Sequence, residues 1–328
     1  MLRSSRRVLV RLGAWATLAV VLLGSPLDAT RSAVAGATER DAGPFAGLGA
    51  WVDAFDYAPA FQGDGGIVTV TPDAVPDMAA LGVKTLFLQA AMNDRRSPGK
   101  IVDVRLVGEF LRRAHAEGMA VVAWYYPTLE DPAADVAHIR ALAGFTSRGE
   151  RFDALGLDLE ATQTVADVGE RNDRVVALAR QTRSLVGDQP VGAIVYPAVQ
   201  TEVVNPTLWP RFPYRRLAPQ IDVWMPMAYW TFRDGTYRDA YVYTQESITR
   251  LRDNVGDRQA MVHPVGGIGD ESTVQDYRAF LAAVRSTRSV GWSIYDYNTL
   301  ATSAWPLLRT GGGSGTPRST TSSTTGPQ

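Results

Sequence analysis

Between residues 45 and 309 two hydrophobic rhythms alternate. Short apolar runs rich in β-branched and aromatic residues are each followed by a stretch whose apolar positions recur every three or four residues. The short runs predict strands over 48–52, 85–89, 120–124, 154–158, 191–195, 223–227, 260–263 and 291–294. The longer stretches predict helices over 72–81, 102–117, 135–145, 167–186, 239–254 and 273–285, with a last one from residue 300. Four prolines between 206 and 219 allow at most a short helix there. Alternating strand and helix predicts a parallel sheet of the α/β class. Eight such units in about 265 residues fit a single-domain (β/α)8 TIM barrel, whose usual length is about 250.

An open doubly wound sheet fits less well. No Gly-x-Gly-x-x-Gly turn follows the first strand, and chemistry-bearing residues follow nearly every strand instead of gathering at one switch point. They are Asp53, Phe55, Asp56 and Tyr57 after the first, then Gln89 and Asn93, Tyr125 and Tyr126, Glu160, Tyr196, Tyr229 and Trp230, His263, and finally Asp296 and Tyr297. In a barrel these positions share the rim at the strand carboxyl ends, where active sites of this fold are built.

The segment 152–160, Phe-Asp-Ala-Leu-Gly-Leu-Asp-Leu-Glu, is the most informative. Alternation along a strand sends Leu155, Leu157 and Leu159 outward, and Ala154, Gly156, Asp158 and Glu160 into the barrel. Two carboxylates thus stack at the top of one strand, roughly 6.5 Å apart by the strand rise. Like charges that close raise at least one pKa, and a raised carboxyl is what a glycosidase needs in its general acid. Glu160, nearer the mouth, takes that role; Asp158, one layer deeper, tunes it and holds a substrate group. The competing reading is a strand end and helix cap paired with neighbouring arginines.

Charge and composition narrow the alternatives. With 33 basic against 34 acidic side chains and no basic stripe after residue 11, a nucleic-acid partner is not expected. The absence of cysteine removes thiolate chemistry, and the three histidines His115, His138 and His263 are too far apart for a His-x-x-x-His zinc site, so neither metal nor cofactor is expected. No Gly-x-Ser-x-Gly elbow points to an esterase. His263, before Pro264, reads as a hydrogen-bonded wall, and Gly266-Gly267-Ile268-Gly269-Asp270, without a following lysine, as a flexible loop. Met225 and Met227 read as packing and Trp224 as outward core. Among Trp51, Trp124, Trp209, Trp230, Tyr125, Tyr126 and Tyr297 there are candidates for platforms that stack on sugar rings, foremost Trp230 and Tyr126.

The two ends fall outside the barrel pattern. Residues 1–35 carry Arg3, Arg6, Arg7 and Arg11, an apolar run over 12–23 and small residues ending Ala33-Val34-Ala35, an export signal of the general or twin-arginine kind. At about a dozen residues the run is shorter than the ~20 of a membrane span, so no stable membrane span is expected. Residues 36–44 read as a linker and 310–328, rich in Gly, Ser, Thr and Pro, as a disordered tail.

On Asp153, Gly156, Asp158 and Glu160 the chain resembles family 18 glycoside hydrolases, the chitinase-like enzymes, whose fourth strand carries Asp-x-x-Asp-x-Asp-x-Glu. Met227-Ala228-Tyr229-Trp230 resembles that family's Met-x-Tyr-Asp, and Gly291-Trp292-Ser293-Ile294-Tyr295 its eighth strand, which ends in a tryptophan beneath the sugar. Gly156 and Trp230 stand where the family has aspartates. The resemblance implies Glu160 as general acid/base with Asp158 and Tyr229 positioning an acetamido group. Together with the export signal, the expectation is a secreted, monomeric hydrolase of an N-acetylhexosamine polysaccharide, extracellular or cell-wall associated. Substrate contacts are expected from Asp53, Tyr57, Gln89, Tyr126, Tyr196, Trp230, Trp292 and Asp296. Family 25 lysozymes are similar in another way: they carry Asp-x-Glu on one barrel strand and an aspartate after the first, matched by Asp158, Glu160 and Asp53, which implies peptidoglycan cleavage. A non-catalytic carbohydrate-binding barrel is the third possibility, consistent with Gly156 and Trp230.

Overall fold

The structure, a computed structural model, describes residues 43–63 and 66–311. The export signal, all of the linker but its last two residues, and the tail beyond 311 lie outside the described residues. Nine strand segments occur in the order β1 (Gly47–Val52), β2 (Thr85–Met92), β3 (Ala120–Tyr126), β4 (Ala154–Leu159), β5 (Val191–Val195), β6 (Val223–Ala228), β7 (Met261–Val262), β8 (Val265–Ile268) and β9 (Gly291–Tyr295). The helices are α1 (Ala54–Tyr57), α2 (Val75–Ala80), α3 (Val104–Ala116), α4 (Pro132–Ala143), α5 (Val168–Val186), α6 (Tyr214–Leu217), α7 (Ala240–Val255), α8 (Val274–Ser286) and α9 (Trp305–Leu308). Aspartates at 103, 131, 167 and 239 and Thr273 cap the helices that follow them by accepting backbone N–H bonds.

All strand pairings within the barrel are parallel, and the ring closes because β1 pairs with both β2 and β9 while β5 pairs with β6. Nine segments form eight staves. β7 and β8 are one stave, each paired to β6 in the same register, Val262 opposite Trp224 and Val265 opposite Met227. Pro264 interrupts it because proline has no N–H for the ladder. Part of the stretch expected to be a flexible loop, Gly266 to Ile268, is therefore sheet, which corrects that expectation. Its glycines have a packing reason: a Cβ at Gly266 or Gly267 would lie 2.8 Å from the Trp230 indole.

The core has two shells. One, between strands and helices, holds residues such as Leu86, Leu157, Trp224 and Phe280. The other fills the barrel itself with Phe45, Trp51, Phe87, Val122, Trp124, Ala154, Ile194, Val223, Met225, Met227 and Val265. Phe45 plugs the floor, so close that a Cβ on Gly192 would sit 2.6 Å from its ring. Inside, the Trp51 indole N–H donates to Ser293 Oγ at 2.8 Å. His263 stands 2.9 Å from that hydroxyl through Nε2 and 2.8 Å from the Phe45 carbonyl through Nδ1. The carbonyl accepts, so Nδ1 carries the proton and Nε2 accepts from Ser293. Burial lowers the His263 pKa to about 4, which keeps the ring neutral in this role. His263 is thus the wall that its sequence context implies. No helix among the described residues is long and apolar enough to cross a membrane.

Candidate active site

At the carboxyl ends of the strands the barrel opens into a cleft of about 380 Å³, lined chiefly by inward residues of β1 to β6 and β9. β4 brings Asp158 and, one residue past its end, Glu160. β3 contributes Trp124 and Tyr126, β2 Gln89 and Met92, and β5 Ile194. Met227 and, just past β6, Tyr229 continue the wall, and Trp51, Asp53, Phe55 and Tyr295 complete it, with the Tyr229 and Tyr295 rings 6.1 Å apart. The walls are mostly apolar, so the carboxylates meet little competing water.

Electrostatics follow from that placement. Burial, and then repulsion from Glu160, raises the Asp158 pKa well above the ordinary carboxylate range. Burial raises Glu160 as well. Asp158 is 6% exposed and its Oδ1 has no hydrogen-bond partner among the described residues. No arginine bridges either acid among the described ion pairs, in contrast to the strand-end alternative. The Tyr229 hydroxyl is pushed well above its usual value by burial and then by Glu160, Asp158 and Asp296. Tyr126 is raised by burial and the same two acids of β4. Both phenols therefore remain neutral donors.

The other expected contacts divide. Asp53, Gln89 and Tyr126 line the cleft. Gln89 Oε1 accepts from the Ala54 N–H at 2.9 Å, and Asp53 caps α1 while accepting from the Tyr295 hydroxyl at 2.7 Å. Tyr196 stands behind the cleft, donating to the Glu160 carbonyl at 3.3 Å, so it supports the loop carrying the acid. Three aromatic expectations are corrected. Tyr57 is fully buried, its hydroxyl donating to the Gln89 carbonyl at 2.8 Å and its ring against Phe110. Trp230 is fully buried against Phe280 in the outer shell. Trp292 also faces the helices, its indole donating to the Leu308 carbonyl at 3.0 Å. Trp209 and Tyr125 are likewise buried in the outer shell, so neither is a platform.

Asp296 is no cleft wall either. It is buried and accepts from the Thr299 N–H at 2.9 Å, and with Asp53 and Asp56 it forms a cluster whose oxygens lie within 4.8 Å of one another. Burial, followed by repulsion from Asp53 and Asp296, raises Asp56 to about 7. A cluster that keeps a proton and already accepts from backbone groups braces α1 against the loop after β9. Of the cleft residues with a hydrogen-bonding side chain, Tyr295 is the one that sequence reading passed over. The signal was present: counting by twos from Gly291 leads through Ser293 to Tyr295, whereas Trp292 has the wrong parity.

A closed (β/α)8 barrel with a carboxylate pair, one buried and one half-buried, in an aromatic cleft at its strand carboxyl ends is the class that fold and site define. No family model matches the sequence, and no curated protein matches it. Solved structures do share the fold. The C-terminal domain of a putative chitinase from Desulfitobacterium hafniense is similar with a TM-score of 0.59 at 12% identity, over 81% of this chain and 99% of that one. A family 18 chitinase from Cycas revoluta, solved with allosamidin, gives 0.58 at 11% over 80% and 98%. The spore cortex-lytic enzyme SleL of Bacillus megaterium gives 0.58 at 7% over 83% and 74%. At such identities the likeness is one of fold, the closed (β/α)8 barrel.

Proposed function

We propose that the chain is a glycoside hydrolase acting on a polysaccharide that contains N-acetylhexosamine. Glu160 is the general acid/base, and Asp158 and Tyr229 position the acetamido group so that its oxygen reaches the anomeric carbon. The observation that carries this reading is the pair of buried Asp158 and half-buried Glu160, brought together at the head of one strand in a cleft with tryptophan and tyrosine walls. A carboxyl held protonated by burial can donate to a leaving oxygen near neutral pH. The structures of similar fold include one with (GlcNAc)4, which supports the substrate class. Glu160→Gln is expected to fold as the wild type and to lose release of reducing ends from chitin oligomers by at least a hundredfold. Undiminished turnover by that variant overturns the assignment.

Peptidoglycan is the second substrate class, favoured by Asp53, which lines the same cleft as the pair. Faster release of sugar from cell-wall peptidoglycan than from chitin oligomers selects it. Oligomer binding without turnover, unchanged by Glu160→Gln, selects instead a non-catalytic binding barrel. We propose also that residues 1–35 direct export. Mature protein outside the cell beginning after residue 35, and retention inside when 1–35 is removed, are the expected results.

A further inference from the structure

Of the side chains that line the cleft, two carry a buried polar atom without a hydrogen-bond partner among the described residues: Asp158 through Oδ1 and Trp124 through Nε1. Both residues are more than nine-tenths buried, at 6% and 5% exposure. They come from neighbouring staves, for Trp124 pairs in register with Gly156, two residues before Asp158. One atom accepts and the other can only donate. Left unmatched, each is costly, since a buried polar group without a partner forfeits its hydration.

The surroundings restrict what completes them. Ile194 and Met227 offer apolar surface on the same cleft. A secondary amide bearing a methyl group has an N–H for Asp158, a carbonyl oxygen for a donor, and a methyl for the apolar wall. That oxygen has two lone pairs, so it accepts from a second donor beside Tyr229. A hydroxyl also donates and accepts, yet leaves the apolar wall unused.

We propose that Trp124 is a substrate-binding residue whose indole N–H donates to the carbonyl oxygen of the substrate's acetamido group. This rests on the reading of Asp158 and Tyr229 given above and adds a donor to it. The sequence change that makes room is Gly156: a Cβ there would lie 3.1 Å from the Trp124 Cβ and 3.4 Å from Ile194 Cδ1, so a side chain at 156 would displace the indole. Trp51 supports Trp124 from the other side in an edge contact at 5.8 Å. Glycine at 156 and tryptophan at 124 thus work as one unit.

The test uses Glu160→Gln protein to prevent turnover and compares (GlcNAc)4 with its fully deacetylated tetramer by calorimetry. Adding Trp124→Phe, which keeps an aromatic ring and deletes the donor, is expected to weaken (GlcNAc)4 binding about tenfold and to leave the weaker binding of the deacetylated tetramer unchanged. Equal losses for both ligands, or no loss for either, overturn the role of Trp124 while leaving the substrate class standing. Absence of (GlcNAc)4 binding by the Glu160→Gln parent overturns the substrate class, and this proposal with it. A second readout does not depend on the variant folding. The indole N–H proton resonance of Trp124, assigned through bonds, is expected to move downfield on addition of (GlcNAc)4 and not of the deacetylated tetramer. A stationary Trp124 resonance while other cleft resonances move refutes the hydrogen bond.

Discussion

Asp158 and Glu160 lie two residues apart on one strand, and that spacing gives both their shared face and their mutual charge. Because burial raises Glu160, the acid keeps its proton above the ordinary glutamate range of about 4.3. Activity is therefore expected to persist to higher pH than an exposed glutamate allows, and to fall as pH climbs through the raised pKa. A pH profile of kcat/KM checks this; loss of activity already by about pH 5 contradicts it. Gly291 tests the floor of the same barrel. A Cβ there would stand 2.2 Å from the Phe45 carbonyl oxygen and 2.3 Å from His263 Nδ1, both held by packing. Gly291→Ala should destabilise by about 3 kcal/mol in urea unfolding, since overpacked interiors cannot yield cheaply. At this scale parity was legible wherever a strand could be counted: the inward placement of Asp158 and Met227 and the outward placement of Trp224 follow from it. Trp230 escaped because it lies past the end of β6, in a 3-10 turn where period two no longer applies.

Among the elements, periodicity placed the starts of α5, α7 and α8 to within a residue but set that of α4 at 135, past its Asp131 cap, and strand ends were missed because β2 and β3 run on through Met92 and Tyr126 by pairing with each other. Contacts between elements were not legible at all. His115, at the end of α3, bridges Glu150 at 2.6 Å and Asp153 at 2.9 Å ahead of β4. Burial works against its charge, but hydrogen bonds to Asp153 and Glu150 outweigh that and raise its pKa. The linkage sign follows. A raised histidine stabilises the fold fully below its unfolded value of about 6.5, and that stabilisation is lost as pH rises through the folded value. Relative to His115→Gln, the wild type should gain about 1 kcal/mol at pH 5.5, a partly exposed pair giving no more, and the gain should vanish by about pH 9. Thermal unfolding of both proteins across that window checks it; a gain that grows with pH contradicts it. Asp135, an interior residue of α4, is of a different kind. It accepts from the Tyr125 hydroxyl at 2.6 Å and from the N–H groups of Thr128 and Leu129. Asp135→Ala strands three buried donors and should cost about 3 kcal/mol. Oligomer affinity of the folded fraction should stay unchanged, since Asp135 is no part of the cleft.

The barrel is a ring, and a ring has no edge to start from. β9 must close against β1 across more than two hundred residues of sequence before either face of the sheet is covered. A chain restricted to 43–311 is therefore expected to unfold in one transition and to keep full oligomer affinity, whereas one ending before β9 should fail to fold; circular dichroism and calorimetry distinguish these outcomes. The alternation of strand and helix, with its unit count, was enough for the barrel and for the end at which the candidate cleft opens, because hydrophobic period and strand direction are local properties of the chain. Which aromatic residues face the cleft and which acids brace α1 were decided only on closure. Those depend on distances between staves, such as Trp124 against Gly156 and Tyr295 against Asp53, and no spacing along a single strand encodes a distance to its neighbour.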